Sequence, residues 1–344
     1  MTNFGRIFII ELWRRCVEVF SERIYYSDGG KKLSQKMLVV ENLTKYYGKV
    51  RGIEKLNLAL EKGEVFGLIG PNGAGKSTTM RSIMNLINKT SGKVYVDGKE
   101  FHKDDVDLKR IIGYLPSEIN LYDDLSVKEM LDYHESFYSK NVDLKNENGD
   151  KKDDNNSSNS IHTRRMELVE TLELDESKKI EDLSLGNLKK VGIVLAFMHN
   201  PKIIIMDEPT SGLDPVIQKK FFDLVLQEKE KGTTILYSTH ILSEVSKVCQ
   251  RVGIVRNGQL EAVENIENVK NMALKFVTVT SEEVDKIIEE IDVKEFERIN
   301  ESTVKFKNDI AVDSLIKKLA KYNIANLLIE EATLEELFFH YYSM

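Results

Sequence analysis

A chain of 344 residues, 41% hydrophobic and with a net charge of -7, is long enough for a large core and a smaller second domain. The acidic balance leaves no basic footprint for a nucleic acid, and two cysteines, Cys16 and Cys249, cannot build a disulfide framework and fit a reducing compartment. No apolar run approaches the roughly 20 residues that a membrane-spanning helix needs, so the chain is not expected to cross a bilayer by itself.

Residues 1–36 place Phe4, Phe8, Leu12, Cys16, Phe20 and Ile24 four apart, with Arg6, Arg14, Arg15 and Arg23 between them. That pattern fits an amphipathic helix lying on a membrane surface or a partner. It lacks the apolar centre and small-residue cleavage site of a signal peptide. The competing reading is that translation starts at Met37, because an ordinary domain start, MLVVENLTKYYG, follows at once.

Over residues 37–258 short β-rich runs alternate with helical ones, the signature of a parallel sheet. EVFGLIG leads into GPNGAGKST and then a helix, which puts Gly70, Gly75, Lys76 and Ser77 in the G-x-x-x-x-G-K-[ST] spacing. Glycines there let backbone N–H groups curl around phosphates, Lys76 neutralises the outer phosphates, and the Ser77 hydroxyl suits Mg²⁺. Further on, SVKEMLDYHESFYSK opens with a capping box from Ser126 and Glu129. Residues 139–163 are polar, charged and nearly free of apolar side chains, and are expected to form a disordered loop inside a helical subdomain of about 115–190. RRMELVETLEL then resumes the helical pattern.

The turn Ser184-Leu185-Gly186-Asn187 stands directly before an apolar helical run, a position suited to holding an anion or, more simply, to capping the helix. In KIIIMDE, the apolar residues 203–206 predict a buried strand that delivers Asp207 and Glu208 at its end. Phosphoryl transfer needs one acidic group on the metal and another to orient water, roles that suit Asp207 and Glu208 in that order. TTILYSTH is a further strand, ending at His240. The remaining histidines, His102, His134, His162, His199 and His340, are expected to be satisfied surface residues.

After about Leu260 the order becomes strand, helix, two strands, helix, strand: a ferredoxin-like βαββαβ unit within an accessory α+β domain over residues 265–344. A last helix, TLEELFFHYYS, opens with a capping box from Thr333 and Glu336.

These motifs, in this order, resemble the ATP-binding cassette (ABC) ATPases. GPNGAGKST resembles the family's Walker A loop, IIIMDE its Walker B strand, SGLD its D-loop, STH its switch histidine and LSLGN its LSGGQ signature. Tyr47 stands where the family stacks an aromatic on adenine, so six motifs span residues 47–240. The implied fold is α/β: a P-loop NTPase core with a parallel sheet, an antiparallel β edge and a helical subdomain, plus the small C-terminal α+β domain.

The resemblance implies ATP and Mg²⁺ as cofactors. Gly70, Pro71, Asn72, Gly73, Ala74, Gly75, Lys76, Ser77 and Thr78 would cradle the phosphates, and Ser77 and Asp207 would hold the metal. Glu208 would be the general base, with His240 contacting the γ-phosphate. Ser184 and Gly186 would close over the γ-phosphate bound by a second copy, in an ATP-dependent head-to-tail homodimer. The chain would work at the cytoplasmic face of the membrane, docked on a separately encoded permease.

Two departures stand out. Ser117, in IIGYLPSEIN, replaces the family's usual glutamine, with Glu118 or a water held by Ser117 as candidate substitutes. Leu185 and Asn187 replace glycine and glutamine in the signature. Both resemble the branch serving drug, antibiotic and lantibiotic exporters, which makes an exporter subunit the leading reading. The alternatives are an importer ATPase and a soluble cassette of repair or translation. Repair cassettes insert a long coiled coil between the Walker motifs and translation cassettes usually carry two P-loops, neither of which occurs here.

Overall fold

The computed structural model describes residues 36–139, 154–271, 275–293, 296–308 and 310–331. The amphipathic pattern before Lys36, the closing helix with its Thr333–Glu336 box, and His340 lie outside the described residues. The chain divides into two compact units between Glu264 and Asn265.

The first unit begins with β1 (Lys36–Tyr47), β2 (Val50–Glu61), β3 (Val65–Ile69), α1 (Lys76–Ile83), β4 (Ser91–Val96) and β5 (Lys99–Glu100). It continues through α2 (Val106–Arg110), β6 (Ile112–Leu115), α3 (Val127–Ser139), α4 (Asp154–Thr171), α5 (Leu185–Phe197) and β7 (Ile203–Asp207). It closes with α6 (Pro215–Glu230), β8 (Thr234–Thr239), α7 (Leu242–Val248), β9 (Arg251–Arg256) and β10 (Gln259–Asn265). An antiparallel sheet runs β2-β1-β4-β5, and a second sheet runs β10-β9-β3-β8-β7-β6 with β9, β3, β8, β7 and β6 parallel.

The parallel strands are buried along their whole length at β3, β7 and β8, which is why IIIM reads as a continuous apolar run rather than an alternating one. Met80, Ile83 and Met84, at the end of α1, share one core with Leu38 and Val40 of β1 and with Ile203, Ile205 and Leu236 of the parallel sheet. The helix that follows the phosphate loop is thereby clamped between two sheets, and the loop starts from a fixed point.

Residues 115–190 hold the helical elements α3, α4 and the start of α5. The Ser126–Glu129 box forms as the spacing implies: Glu129 Oε2 accepts from the Ser126 N–H at 2.8 Å, and the Glu129 N–H donates to Ser126 Oγ at 3.2 Å. One expectation needs correction. Residues 139–163 are not loop throughout, because α3 runs to Ser139 and α4 starts at Asp154. Scarcity of apolar residues argues against burial, not against helicity. Ile161, Leu168 and Val169 bury one side of α4, and once that seed is packed each further turn costs little to propagate into the polar stretch.

The second unit contains α8 (Ile266–Asn271), β11 (Lys275–Thr280), α9 (Val284–Ile291), β12 (Phe296–Asn300), β13 (Thr303–Asn308), α10 (Val312–Leu319) and β14 (Asn326–Glu331). Its sheet order, β12-β13-β11-β14 with every pairing antiparallel, is the ferredoxin-like arrangement. Val284, Ile287 and Ile288 of α9, with Leu315 and Leu319 of α10, follow helical spacing. They pack on Val277, Val279, Val304 and Phe306, the alternate residues of β11 and β13 that face them.

Candidate active site

Three parallel strands end side by side. In register, Ile69 of β3 pairs with Thr239 of β8, and Ser238 of β8 pairs with Asp207 of β7. The residues just past those ends, Gly70, His240 and Glu208, therefore meet at one edge of the sheet, where open α/β sheets bind ligands.

From β3 the chain turns through residues 70–75 into α1. Gly75 is the N-cap, with φ 111°, a left-handed conformation that a side chain would strain, and no side chain caps the helix. The first-turn N–H groups of α1 are thus left to an anion, with the positive end of the helix dipole behind them. Lys76 is buried, and its ammonium donates to Gly70 O at 2.8 Å and Pro71 O at 3.3 Å. The same ammonium lies 3.5 Å from Glu208 Oε1. Pro71, Asn72 and Gly73 are exposed, Ala74 is buried, and Ser77 and Thr78 are half-buried at the start of the helix.

Asp207 is fully buried. Its Oδ1 accepts from Ser238 Oγ at 2.5 Å, while Oδ2 has no hydrogen-bond partner among the described residues. A buried carboxylate oxygen without a donor is costly unless a cation satisfies it. An oxygen-seeking divalent ion fits so unpartnered a carboxylate oxygen. Glu208 sits at φ 46°, a left-handed conformation costing a non-glycine residue about 1–2 kcal/mol. Its N–H is fixed to Ser238 O at 3.1 Å and Ser238 Oγ at 3.2 Å. Its carboxylate meets His240 Nδ1 at 3.0 and 3.1 Å. Lys76, Asp207, Glu208 and His240 are thus brought together, with Ser238 as an unforeseen bracket for both acids.

Tyr47, at the end of β1, is exposed, and Lys45 Nζ lies 4.9 Å from its ring centroid. A Cβ on Gly52 would stand 3.0 Å from the Tyr47 ring and 3.1 Å from the Thr78 methyl, so the ring lies within reach of the start of α1. Ser184 and Gly186 make their own local contacts. Ser184 is the N-cap of α5, its Oγ accepting from the Asn187 N–H at 3.3 Å. Gly186 packs against the SGLD segment so closely that a Cβ would lie 2.6 Å from Gly212 O. Neither makes a hydrogen bond to residues 70–78 among the described residues.

The loop carrying Ser117 is held by a group that the sequence did not flag. Lys189 of α5, buried, donates to Pro116 O at 3.2 Å and to Ser117 O at 2.9 Å. Burial pushes its ammonium below the ordinary lysine range, against the pull of Asp207 and Glu208, whose charges favour the protonated form. Glu118 is exposed. His134 and His199 correct the reading of them as surface residues. Burial pushes both down to about 4, His199 stacks on Tyr138 at 4.3 Å, and the Nδ1 of each has no partner among the described residues.

A glycine-lined strand-to-helix loop carrying a lysine, beside a strand ending in paired acids, defines a P-loop nucleoside triphosphatase. The family model described as ABC transporter matches residues 53–211. The chain is 34% identical over 318 residues to the linearmycin resistance ATP-binding protein LnrL of Bacillus subtilis, covering 88% of this chain and 97% of that one. It is 28% identical over 309 residues to the bacitracin transport ATP-binding protein BcrA of Bacillus licheniformis, covering 86% and 94%. Among solved structures, the ATP-binding cassette MJ0796, a dimer in a post-hydrolysis state bound to ADP and Pi, matches with TM-score 0.55 and 28% identity, covering 67% of this chain and 99% of that chain. The chain belongs to the ABC transporter family, as an ATP-binding subunit that hydrolyses ATP.

Proposed function

We propose that this chain powers an exporter of antibiotic-like compounds, hydrolysing Mg²⁺-ATP as a homodimer docked on a separately encoded permease at the cytoplasmic face of the membrane. The observation that carries the chemistry is the convergence of Lys76, Asp207, Glu208 and His240 at three adjacent strand ends. The export reading rests on the names of the relatives, a resistance protein and an antibiotic transport protein.

In this reading the N–H groups at the start of α1 and the Lys76 ammonium bind the phosphates, and Tyr47 stacks on the adenine. The Ser77 hydroxyl and Asp207 Oδ2 would hold the metal, which supplies charge neutralisation between the phosphate oxygens. Glu208 takes the proton of the attacking water. Its contact with Lys76 must give way when phosphate arrives, which frees the carboxylate for that water. His240, bonded to Glu208 through Nδ1, orients the base and presents its other ring nitrogen to the γ-phosphate. Ser184 and Gly186, which make no hydrogen bond to residues 70–78 of their own subunit among the described residues, serve the nucleotide of the second copy.

The test is Glu208→Gln, which removes the base but keeps the shape. This variant should bind ATP, turn it over at least about 100-fold more slowly, and dimerise when ATP is added. Adding Ser184→Arg should abolish dimerisation while leaving nucleotide binding by the monomer intact. Hydrolysis near the wild-type rate by Glu208→Gln would remove the assigned base. A monomer that stays monomeric with ATP, alone and with its permease in detergent, would remove the shared site.

A further inference from the structure

Glu244 lies on α7, outside every motif quoted above, and is buried. Its Oε1 accepts from Thr210 Oγ1 at 2.6 Å, and its Oε2 accepts from Tyr237 OH at 2.7 Å and Thr239 Oγ1 at 2.7 Å. Three hydroxyl donors on one buried carboxylate form a charge-assisted cluster, and the cluster compensates for the water that the charge has lost. Tyr237 remains a donor, because burial and then the Glu244 charge push its phenol well above the ordinary tyrosine value.

What matters is where those hydroxyls stand. Thr210 is two residues after Glu208, and Thr239 is the residue before His240. Thr239 Oγ1 also accepts the Ile241 N–H at 3.0 Å, so His240 is bracketed on both sides. The backbone on each side of the Glu208–His240 contact is therefore tied to a single carboxylate. Glu208 itself holds a left-handed conformation, which persists only where its surroundings over-determine it. Ser238 supplies one constraint from the neighbouring strand, and Glu244 supplies a second through Thr210.

We propose that Glu244 is a positioning residue of the ATPase, joining the segment after β7 to the segment after β8 so that Glu208 and His240 stay in hydrogen-bonding register. This rests on the reading of Glu208 and His240 as the hydrolytic pair. The role differs from filling a core: it predicts a loss in turnover without a loss in nucleotide affinity, and dependence on the hydroxyls of Thr210 and Thr239.

The experiment uses the full chain, four single variants, one double variant and a reference variant. Glu244→Gln keeps the shape but replaces one accepting oxygen with a donor, so either Thr210 on Oε1, or Tyr237 and Thr239 together on Oε2, lose their acceptor and the link between the two segments is broken. It should lower kcat about tenfold, the size of one lost charge-assisted hydrogen bond, with the Kd for ATP within about twofold of wild type. Thr239→Val should produce a similar loss, and the double variant little further loss, because both remove the same tie. Thr210→Ser, which keeps the hydroxyl, should retain wild-type kcat, and Thr210→Val should not. If Glu244→Gln does not fold, the Thr210 pair decides: equal kcat for Ser and Val at position 210 overturns the proposal. So do wild-type kcat in folded Glu244→Gln, a loss confined to KM, and full additivity of Glu244→Gln with Thr239→Val. Glu208→Gln serves as the reference. If that variant still hydrolyses ATP, the hydrolytic reading fails; if it is inactive while Glu244→Gln is normal, only the positioning role fails.

Discussion

Arg164 and Glu228 form a buried ion pair that ties α4 to α6. Arg164, on α4, reaches Glu228, on α6, with Nη2 2.6 Å from Oε1, and the two side chains are 10% and 3% exposed. Replacing Arg164 by methionine removes a charge-assisted bond and leaves a buried carboxylate short of a donor. Breaking a fully buried pair from one side costs about 3–5 kcal/mol. Here Lys231 at 2.9 Å and the Thr233 hydroxyl at 3.1 Å remain on Glu228, and Arg164 Nε already lacks a partner among the described residues. The cost therefore belongs at the low end, about 3 kcal/mol, or a fall of about 6–12 °C in Tm for a domain of this size. Replacing both residues by methionine removes the stranded charge and should recover most of the loss. Urea titrations of wild type, Arg164→Met, Glu228→Met and the double variant measure the coupling directly. A loss under about 1 kcal/mol in Arg164→Met, or a double variant no more stable than the singles, would refute the reasoning.

Two further outcomes follow from buried groups. Lys189 carries a folded pKa below its ordinary 10.5, so between those two values the unfolded chain binds the extra proton and wild-type stability should rise with pH. Lys189→Met should lack that rise; parallel stability curves across the window would contradict it. Ile287, fully buried in the core of the second unit, should cost about 2–5 kcal/mol when cut to alanine. The loss should appear in an unfolding transition that ATP does not raise, and a uniform shift of every transition would show that the units do not unfold separately.

Much of this site is legible in the sequence because it is local. IIIMDE places its acids one and two positions past an apolar run, GPNGAGKST carries its lysine and serine at the end of one short loop after another such run, and so continuous an apolar run fits a parallel strand buried on both faces. The Ser126–Glu129 box and the βαββαβ order are local in the same sense. What escapes depends on pairing across the fold. Glu244 meets Thr210 from 34 residues away, and Lys189 meets Ser117 from 72. No period or composition in either segment announces the partner. His134 and His199 look like surface histidines until α3 and the end of α5 come together. The left-handed backbone of Glu208 is invisible in DEPT, because the residue that adopts it is chosen for its carboxylate and not for its conformation.

The two readings of the turn at Ser184 do not exclude each other. As an N-cap its oxygen accepts from Asn187, at 3.3 Å, and a hydroxyl that accepts still has its own O–H to donate. Capping α5 and donating to a phosphate are therefore compatible uses of one side chain. The cap holds the serine rotamer that presents the O–H, while the α5 dipole favours an anion at that end. Leu185 beside it is 82% exposed, an apolar side chain in an otherwise polar turn with no place in the core of its own subunit. Gly186, pressed against Gly212 O, ties this turn to the SGLD segment, and that segment begins at Ser211, the residue after Thr210, which Glu244 holds. A second copy closing on the turn would cover Leu185, bring a phosphate to accept a hydrogen bond from the Ser184 O–H, and push on the segment that positions Glu208. Hydrolysis would then depend on closure through contacts already present in the single chain.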